Sequence, residues 1–210
     1  MLRHIPFVFI LQGMLNRRPE VHSHCTDLYL RLQLLWPFDR IHCIINNQMI
    51  TSVTTLFNML QNDLYGARFL DLFAGSGAIG IEALSRGAKE AVFVDKGDGQ
   101  ISCIRDNLKT THLEERARVM SADVTEAIRK LDREGKAFDF IFMDPPYRMD
   151  LPKKVLEALK DTCLADEETL IIVEEALEAD FSWVCALGYE IVKSKEYKTN
   201  KHVFLRKKEN

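Results

Sequence analysis

The sequence lacks the cysteine patterns of disulfide-rich and zinc-binding proteins. Its five cysteines are odd in number, lie far apart and include no CxxC pair. Such a distribution indicates neither a disulfide framework nor a zinc ribbon. The segment His22-Ser-His24-Cys25 brings ligand-type residues together, but the spacing identifies no further ligands for a metal ion. We therefore expect no metal, and a reducing, cytoplasmic environment.

The chain also lacks an excess of charge of one sign. It carries 28 Lys and Arg against 31 Asp and Glu, a formal net charge of -3. That balance argues against a protein that holds nucleic acid by its overall electrostatic field. The charge is uneven, because residues 150–180 are strongly acidic whereas residues 189–210 carry seven Lys or Arg against three Glu. The C-terminal end is therefore the expected side for phosphate contacts.

No apolar run is long enough to span a bilayer, and no internal repeat or low-complexity linker is present. The apolar stretch at residues 5–15 follows Arg3 and His4, but it has no convincing small-residue cleavage site. We interpret it as a packed N-terminal segment and expect no membrane partner. Composition changes near residue 50, so we predict an atypical segment at 1–50 and one domain at 51–210.

From residue 68 onward, short apolar runs alternate with helical patterns. This alternation is typical of β-α units that build a parallel sheet. The last two strand patterns are separated by a short turn and predict a closing antiparallel hairpin. Strands are predicted at 68–72, 90–94, 116–122, 138–143, 169–173, 188–195 and 201–206, and helices at 51–64, 78–86, around 101–108, 125–134 and 151–163.

Acidic side chains recur where predicted strands end. Asp71, Asp95, Asp123 and Asp144 all occupy such positions. In an open α/β sheet the carboxyl ends of the strands form the ligand crevice. Asp is also a common residue at the start of a helix, and Asp123 could serve only in that role. Four acids on one edge nevertheless predict a binding site.

Two motifs indicate the chemistry. The first is a glycine loop, Asp71-Leu-Phe-Ala-Gly75-Ser-Gly77-Ala-Ile-Gly80, and the second is Asp144-Pro145-Pro146-Tyr147. A conjugated NH2 group is a poor nucleophile, so its methylation needs hydrogen-bond acceptors that draw the lone pair out of conjugation. The Asp144 carboxylate and the Pro145 carbonyl can accept the two amine hydrogens, while the prolines fix the turn. Tyr147 offers a flat face on which an extruded base can stack.

These motifs, with Ile81-Glu-Ala-Leu-Ser-Arg-Gly-Ala88, Val94-Asp-Lys96 and Glu196-Tyr-Lys198, strongly resemble one family. It is that of the bacterial 16S ribosomal RNA guanine-N2 methyltransferases, and the resemblance covers about residues 56–207. It implies a Rossmann-like class I methyltransferase fold, with a seven-stranded, mostly parallel sheet and helices on both faces. It also implies S-adenosylmethionine as cofactor and ribosomal RNA or the small ribosomal subunit as partner. We expect a monomer.

The resemblance also assigns roles to individual residues. It implies that Asp71, Ala74, Gly75 and Gly77 surround the methionine part of the cofactor. Asp95 would accept hydrogen bonds from the ribose hydroxyls, a role that its spacing from the glycine loop also suggests. Asp123 would accept from the adenine amino group. Asp144, Pro145, Pro146 and Tyr147 would hold the target guanine.

Three alternatives remain open. Adenine N6 in DNA and the glutamine amide of a protein also present a conjugated NH2, so an enzyme for either could use the same motif. An NAD-dependent oxidoreductase would account for the glycine loop and Asp95, but not for Asp71 or the Pro-Pro-Tyr segment. Finally, a methyltransferase-like domain could serve as a non-catalytic RNA-binding or assembly factor.

Overall fold

The computed structural model describes residues 47–146 and 150–208, with side chains from residue 52 onward. Within these residues, seven strands and five helices are joined by short connections, and two short 3-10 helices cover Glu114–Arg116 and Ser182–Leu187. The strands are β1 (Arg68–Leu72), β2 (Glu90–Asp95), β3 (Ala117–Ser121), β4 (Phe140–Met143), β5 (Leu170–Ala176), β6 (Tyr189–Glu196) and β7 (Asn200–Lys207). The helices are α1 (Asn47–Leu60), α2 (Ala78–Ser85), α3 (Asp98–Thr111), α4 (Val124–Asp132) and α5 (Leu151–Lys160).

All seven strands form one sheet in the order β3-β2-β1-β4-β5-β7-β6. The first five run parallel, and β7 pairs antiparallel with both β5 and β6. Strand order reverses between β1 and β4, because the chain proceeds from β1 toward β3 and then returns to the other side of β1. Such a reversal leaves a crevice at the carboxyl ends of the two strands.

Apolar side chains cover both faces of the sheet. One core contains residues of α4 and α5, including Ile128 and Leu156, against β1, β4 and β5. The other contains residues of α1, α2 and α3, including Phe57 and Ile104, against Phe69 and Phe142 of the sheet. Helices therefore lie on both faces, and β1, β2 and β4 are buried along almost their whole length.

The predicted fold class is confirmed, with seven strands and a C-terminal antiparallel hairpin. Most boundaries differ from the predictions by one to three residues. The strand predicted from residue 138 begins at Phe140, because the Phe138 amide donates to the Leu164 carbonyl outside the sheet ladder. The helix predicted at 51–64 spans Asn47–Leu60. The predictions made for residues 1–46, including the packed N-terminal segment, lie outside the described residues.

Within the part of the chain that the structure describes, no helix is long and apolar enough to cross a membrane. Cys163 and Cys185 are free thiols. No cluster of three or more His, Cys, Asp or Glu side chains among the described residues has the arrangement of a metal site.

Candidate functional site

The glycine loop follows β1 at the point where the strand order reverses. Gly75 and Gly77 have φ values of 55° and 78°, a left-handed conformation that favours glycine. Phe73, two positions before Gly75, also has a positive φ of 61°. Such a conformation is uncommon for a bulky residue and persists where its surroundings enforce it. The Ala74 amide supplies one restraint, since it donates to the Val94 carbonyl of β2.

Asp95 connects the end of β2 with the glycine loop. One carboxylate oxygen accepts a hydrogen bond from the Gly75 amide, and the other accepts from the Gly97 amide, both at 2.9 Å. Each carboxylate oxygen can accept more than one hydrogen bond, so acceptor capacity remains for a ligand. Asp95 is only partly buried. The sequence-predicted partner of ribose hydroxyls therefore lies at the edge of the crevice.

Asp71 lies inside the protein, with 1% of its surface exposed. Its Oδ2 atom accepts from the Gly80 amide in the first turn of α2, at 2.9 Å. Burial raises the pKa of Asp71 to about 7, and repulsion from Asp144 and Asp95 adds to the increase, while the Gly80 hydrogen bond opposes it. The observed contact joins β1 to α2, so Asp71 fixes the position of the loop between them. Direct contact with the ligand remains a prediction.

Asp123 caps helix α4. Its Oδ1 atom accepts from both the amide and the hydroxyl of Thr125, at 2.9 and 2.7 Å, and these bonds lower the pKa of Asp123. The residue is exposed at the end of β3, and the Ala122 amide before it donates to the Asp95 carbonyl. The capping role considered from the sequence is therefore observed, and a contact with adenine stays a prediction.

Asp144, Pro145 and Pro146 follow directly after β4, beside the glycine loop, because Met143 pairs with Leu72 of β1. Pro145 is buried, whereas Asp144 and Pro146 are exposed on the surface of the crevice. Although Asp144 as a residue is accessible, surrounding protein atoms remove enough water to raise its pKa to about 7. Tyr147 lies outside the described residues.

Two glutamates at the end of β5 contribute to the electrostatics of this site. Desolvation is the largest cause of the raised pKa of Asp144, and repulsion from Glu174 and, to a smaller extent, from Glu175 adds to it. Glu174 contacts His202 of β7, which in turn contacts Tyr197. The sequence analysis did not assign a role to these residues. The available signal was the interruption of the apolar run of β5 by Glu174 and Glu175, at the strand end where the other acids occur.

The crevice has the properties that a cationic ligand requires. Asp144 and Asp95 both lie close enough to Asp71 to raise its pKa by repulsion, and a positive charge beside them would relieve that repulsion. A Cβ atom added at Gly75 would meet no atom closer than the Phe73 carbonyl oxygen at 4.0 Å, so the backbone there is open to a ligand. Several of the predicted site residues, namely Asp71, Ala74, Gly75, Gly77, Asp95 and Asp144, are thus brought to one edge of the sheet.

Comparison with known proteins agrees with this geometry. A family model described as conserved hypothetical protein 95 matches residues 51–206. The chain belongs to this family. The matched region contains the sheet except its last residue, Lys207, together with the glycine loop and the Asp144-Pro145-Pro146 turn.

Among proteins similar to this member of the family is YlbH of Bacillus subtilis, which carries a provisional name as an rRNA methyltransferase. The two are 37% identical over 126 residues, or 60% of this chain and 68% of YlbH. Ribosomal RNA small subunit methyltransferase D of Escherichia coli is 36% identical over 124 residues, 59% of this chain and 61% of that protein. The matched region therefore spans about two thirds of the length of these relatives.

A solved structure of a conserved hypothetical protein from Streptococcus pyogenes has the same architecture. Its TM-score with this chain is 0.66 at 33% sequence identity, and the match covers 73% of this chain and 94% of the other. The similarity therefore extends over nearly the whole of the Streptococcus pyogenes chain.

Proposed function

We propose that this protein transfers a methyl group from S-adenosylmethionine to the exocyclic N2 amine of a guanine in 16S ribosomal RNA. The observation that carries the proposal is the position of Asp144-Pro145-Pro146, immediately after β4 and beside the glycine loop after β1. The two motifs flank the crevice at the strand-order reversal, where ligands bind in sheets of this type. The names of the relatives in Bacillus subtilis and Escherichia coli support the same activity.

S-adenosylmethionine supplies the reactive methyl carbon on a positively charged sulfur. Asp95 would hold the ribose hydroxyls with the acceptor capacity that its two backbone hydrogen bonds leave free. Ala74, Gly75 and Gly77 would line the methionine part of the cofactor. Asp71 would hold the loop in place by accepting the hydrogen bond from the Gly80 amide. The exposed Asp123 would accept from the adenine amino group with its second oxygen, since only Oδ1 is used by the helix cap.

Asp144 and Pro145 would act on the amine of the target base. The ionised carboxylate accepts one amine hydrogen and the Pro145 carbonyl accepts the other, which directs the nitrogen lone pair toward the methyl donor. This role requires Asp144 in its carboxylate form, and a nearby positive charge favours that form. Pro146 would keep the turn rigid, and Tyr147 would stack on the extruded guanine. Positioning then provides most of the rate acceleration.

The closing hairpin offers contacts for the RNA backbone. Lys193, Lys195 and Lys198 are exposed on β6 and on the turn that follows it. That turn lies at the crevice edge of the sheet, because Asn200 pairs with Ala176 at the carboxyl end of β5. Lysines in this position would bind phosphates next to the target nucleotide. We propose a monomeric, cytoplasmic enzyme that acts on ribosomal RNA or the small subunit.

The decisive experiment is an assay with a radiolabelled methyl donor. The purified protein would be incubated with 16S RNA, small ribosomal subunits, duplex DNA and a protein substrate. Labelled nucleic acid would be digested to nucleosides and labelled protein to amino acids. Label in N2-methylguanosine supports the proposal. Label only in DNA adenine or in protein glutamine would transfer the assignment to one of those substrates. Thermal protection by NAD, with none by S-adenosylhomocysteine, would indicate an oxidoreductase, and RNA binding without transfer a non-catalytic factor.

A further inference from the structure

A buried series of hydrogen bonds connects the closing hairpin with the crevice. The Nε2 atom of His202 lies 2.8 Å from Oε2 of Glu174, and Nδ1 of the same ring lies 3.1 Å from the Tyr197 hydroxyl. The second oxygen of Glu174 accepts from the side-chain amide of Asn200. Only 1% of the surface of His202 is exposed. These contacts therefore belong to the interior and are not a surface ion pair.

The chemistry of the partners determines where the hydrogens lie. An ionised carboxylate only accepts, so the Nε2 atom of His202 carries a hydrogen and donates it to Glu174. In the neutral ring, Nδ1 then accepts from the Tyr197 hydroxyl. Burial, followed by repulsion from Glu174, raises the pKa of Tyr197 to about 12, so the phenol keeps its proton. Every donor in the series thus has an acceptor.

Aromatic packing fixes the same residues in place. The rings of Tyr197 and His202 meet edge to face, with centroids 4.8 Å apart. Phe142 and Phe204 also contact the imidazole edge to face, at 6.1 and 6.4 Å. The imidazole is therefore held by three rings and two hydrogen bonds, and its partner Glu174 has one preferred position.

The register of the sheet places this series beside Asp144. Met143 of β4 pairs with Val173 of β5, and the next residue of β5, Glu174, pairs with His202 of β7. Asp144 follows Met143, so it continues the same row across the sheet, where neighbouring strands are about 4.8 Å apart. Asp144, Glu174, His202 and Tyr197 consequently form one line from the crevice to the hairpin.

We propose that Glu174, His202 and Tyr197 are positioning residues that set the charge and the orientation of Asp144. The proposal rests on the proposed methyl transfer, in which Asp144 is the amine acceptor. Three carboxyl groups face Asp144: Asp71 from β1, and Glu174 and Glu175 from β5. His202 acts on Asp144 only through its contact with Glu174, and α1 contains no charged residue. Held in this way, Glu174 favours the protonated form of Asp144 until a cationic cofactor binds.

A titration that does not depend on activity tests the charge relationship. The full-length protein would be labelled with 13C at aspartate carboxyls, and the Asp144 signal would be assigned by its loss in Asp144→Asn. We expect the midpoint of Asp144 in Glu174→Gln to fall by about half to one pH unit, because a neighbouring negative charge has been removed. An unchanged midpoint in Glu174→Gln would overturn the proposal, whatever the enzyme's substrate is.

A matched pair of tyrosine variants tests the hydrogen-bonded series. Tyr197→Phe removes the hydroxyl that bonds to His202, whereas Tyr189→Phe removes a buried hydroxyl that donates to the Leu156 carbonyl at 2.9 Å. We expect kcat on ribosomal RNA to fall about 5- to 10-fold in Tyr197→Phe, with unchanged affinity for S-adenosylhomocysteine, and to stay within about 2-fold of wild type in Tyr189→Phe. Equal effects of the two substitutions would contradict the role of Tyr197.

The pH profile of kcat/KM for S-adenosylmethionine links the two measurements, because it reports the pKa values of the free enzyme. Its acid limb should move to lower pH in Glu174→Gln by the same amount as the carboxyl titration, and a limb that stays in place would also contradict the proposal. A wild-type protein that transfers no label to any substrate would instead refute the proposed function. In that case the Asp144 titration still decides whether Glu174 controls the charge at this position.

Discussion

The carboxylate of Asp95 and the backbone of Gly75 are joined by a hydrogen bond of 2.9 Å. The bond connects the carboxyl end of β2 with the turn after β1, and the second Asp95 oxygen binds the Gly97 amide at the start of α3. One side chain thus fixes two backbone segments on the crevice edge. A residue with this position affects the shape of the ligand site as well as its charge.

We expect Asp95→Ala to weaken S-adenosylhomocysteine binding about 10- to 100-fold, which corresponds to ~1.4 to 2.8 kcal/mol. The substitution removes a charged acceptor from two amides and from the ribose hydroxyls. Isothermal titration calorimetry measures the change. Asp98→Ala is a suitable control, since Asp98 is an exposed aspartate three positions away in the first turn of α3. Similar affinities of the two variants would contradict the assigned role of Asp95.

Gly80 and Gly99 should respond to alanine in opposite directions. A Cβ atom at Gly80 would lie 2.7 Å from Cζ of Phe93, so Gly80→Ala should reduce the free energy of unfolding by about 1 to 3 kcal/mol through overpacking. At Gly99 the added atom meets nothing within 4 Å, and alanine should stabilise α3 by up to ~1 kcal/mol. Urea unfolding of both variants provides the measurement. Gly80→Ala with wild-type stability would show that Phe93 can move aside.

The buried Asp71 should make the ligand-free protein less stable as the pH rises. Its pKa is about 7 in the folded state and 3.8 as a model value, so the folded state binds more protons between these values. Stability from this group therefore falls from about pH 4 to pH 7. Asp71→Asn keeps an acceptor for Gly80 and should flatten this dependence in urea unfolding at pH 5 and pH 7.5. Asp106→Asn, at an exposed position of α3, should leave it unchanged.

Asp144→Ala should abolish methyl transfer while largely preserving cofactor binding. The substitution removes the amine acceptor but leaves Asp95 and the glycine loop intact. Loss of one preorganised electrostatic contact costs about 100- to 1000-fold in kcat, and single-turnover assays on ribosomal RNA can detect this. Wild-type turnover in Asp144→Ala would show that the amine is held by other groups.

Local sequence patterns predicted the elements of this fold well. The periodicity of the segment with Ile101, Ile104 and Leu108 predicted α3, and all three residues are buried in it. The apolar run before Asp144 predicted β4, although two of its residues precede the strand. These predictions worked because burial of a helix or strand face leaves its period in the sequence. Boundaries were less accurate, since strand ends depend on hydrogen bonds to distant segments.

The candidate site was predicted in part. The acids at the ends of β1, β2 and β4 do share one edge, as expected for parallel strands. The burial of Asp71 was not predicted, because the sequence does not distinguish a buried aspartate at a strand end from an exposed one. The difference depends on how other segments pack around it. The contribution of Glu174 and His202 was missed for a related reason. Their contact joins positions 28 residues apart on antiparallel strands, and that register has no local signature.

The sequence by itself determined the succession of strands and helices along the chain, the glycine turn and the acids at strand ends. These features depend on side-chain period and backbone conformation, which are properties of neighbouring residues. The tertiary structure alone decided the order of strands within the sheet and the burial of Asp71. It also decided the alignment of Asp144, Glu174, His202 and Tyr197. These arise when distant strands pair in one register and water is excluded between them, so that desolvation and repulsion act between residues far apart in the chain.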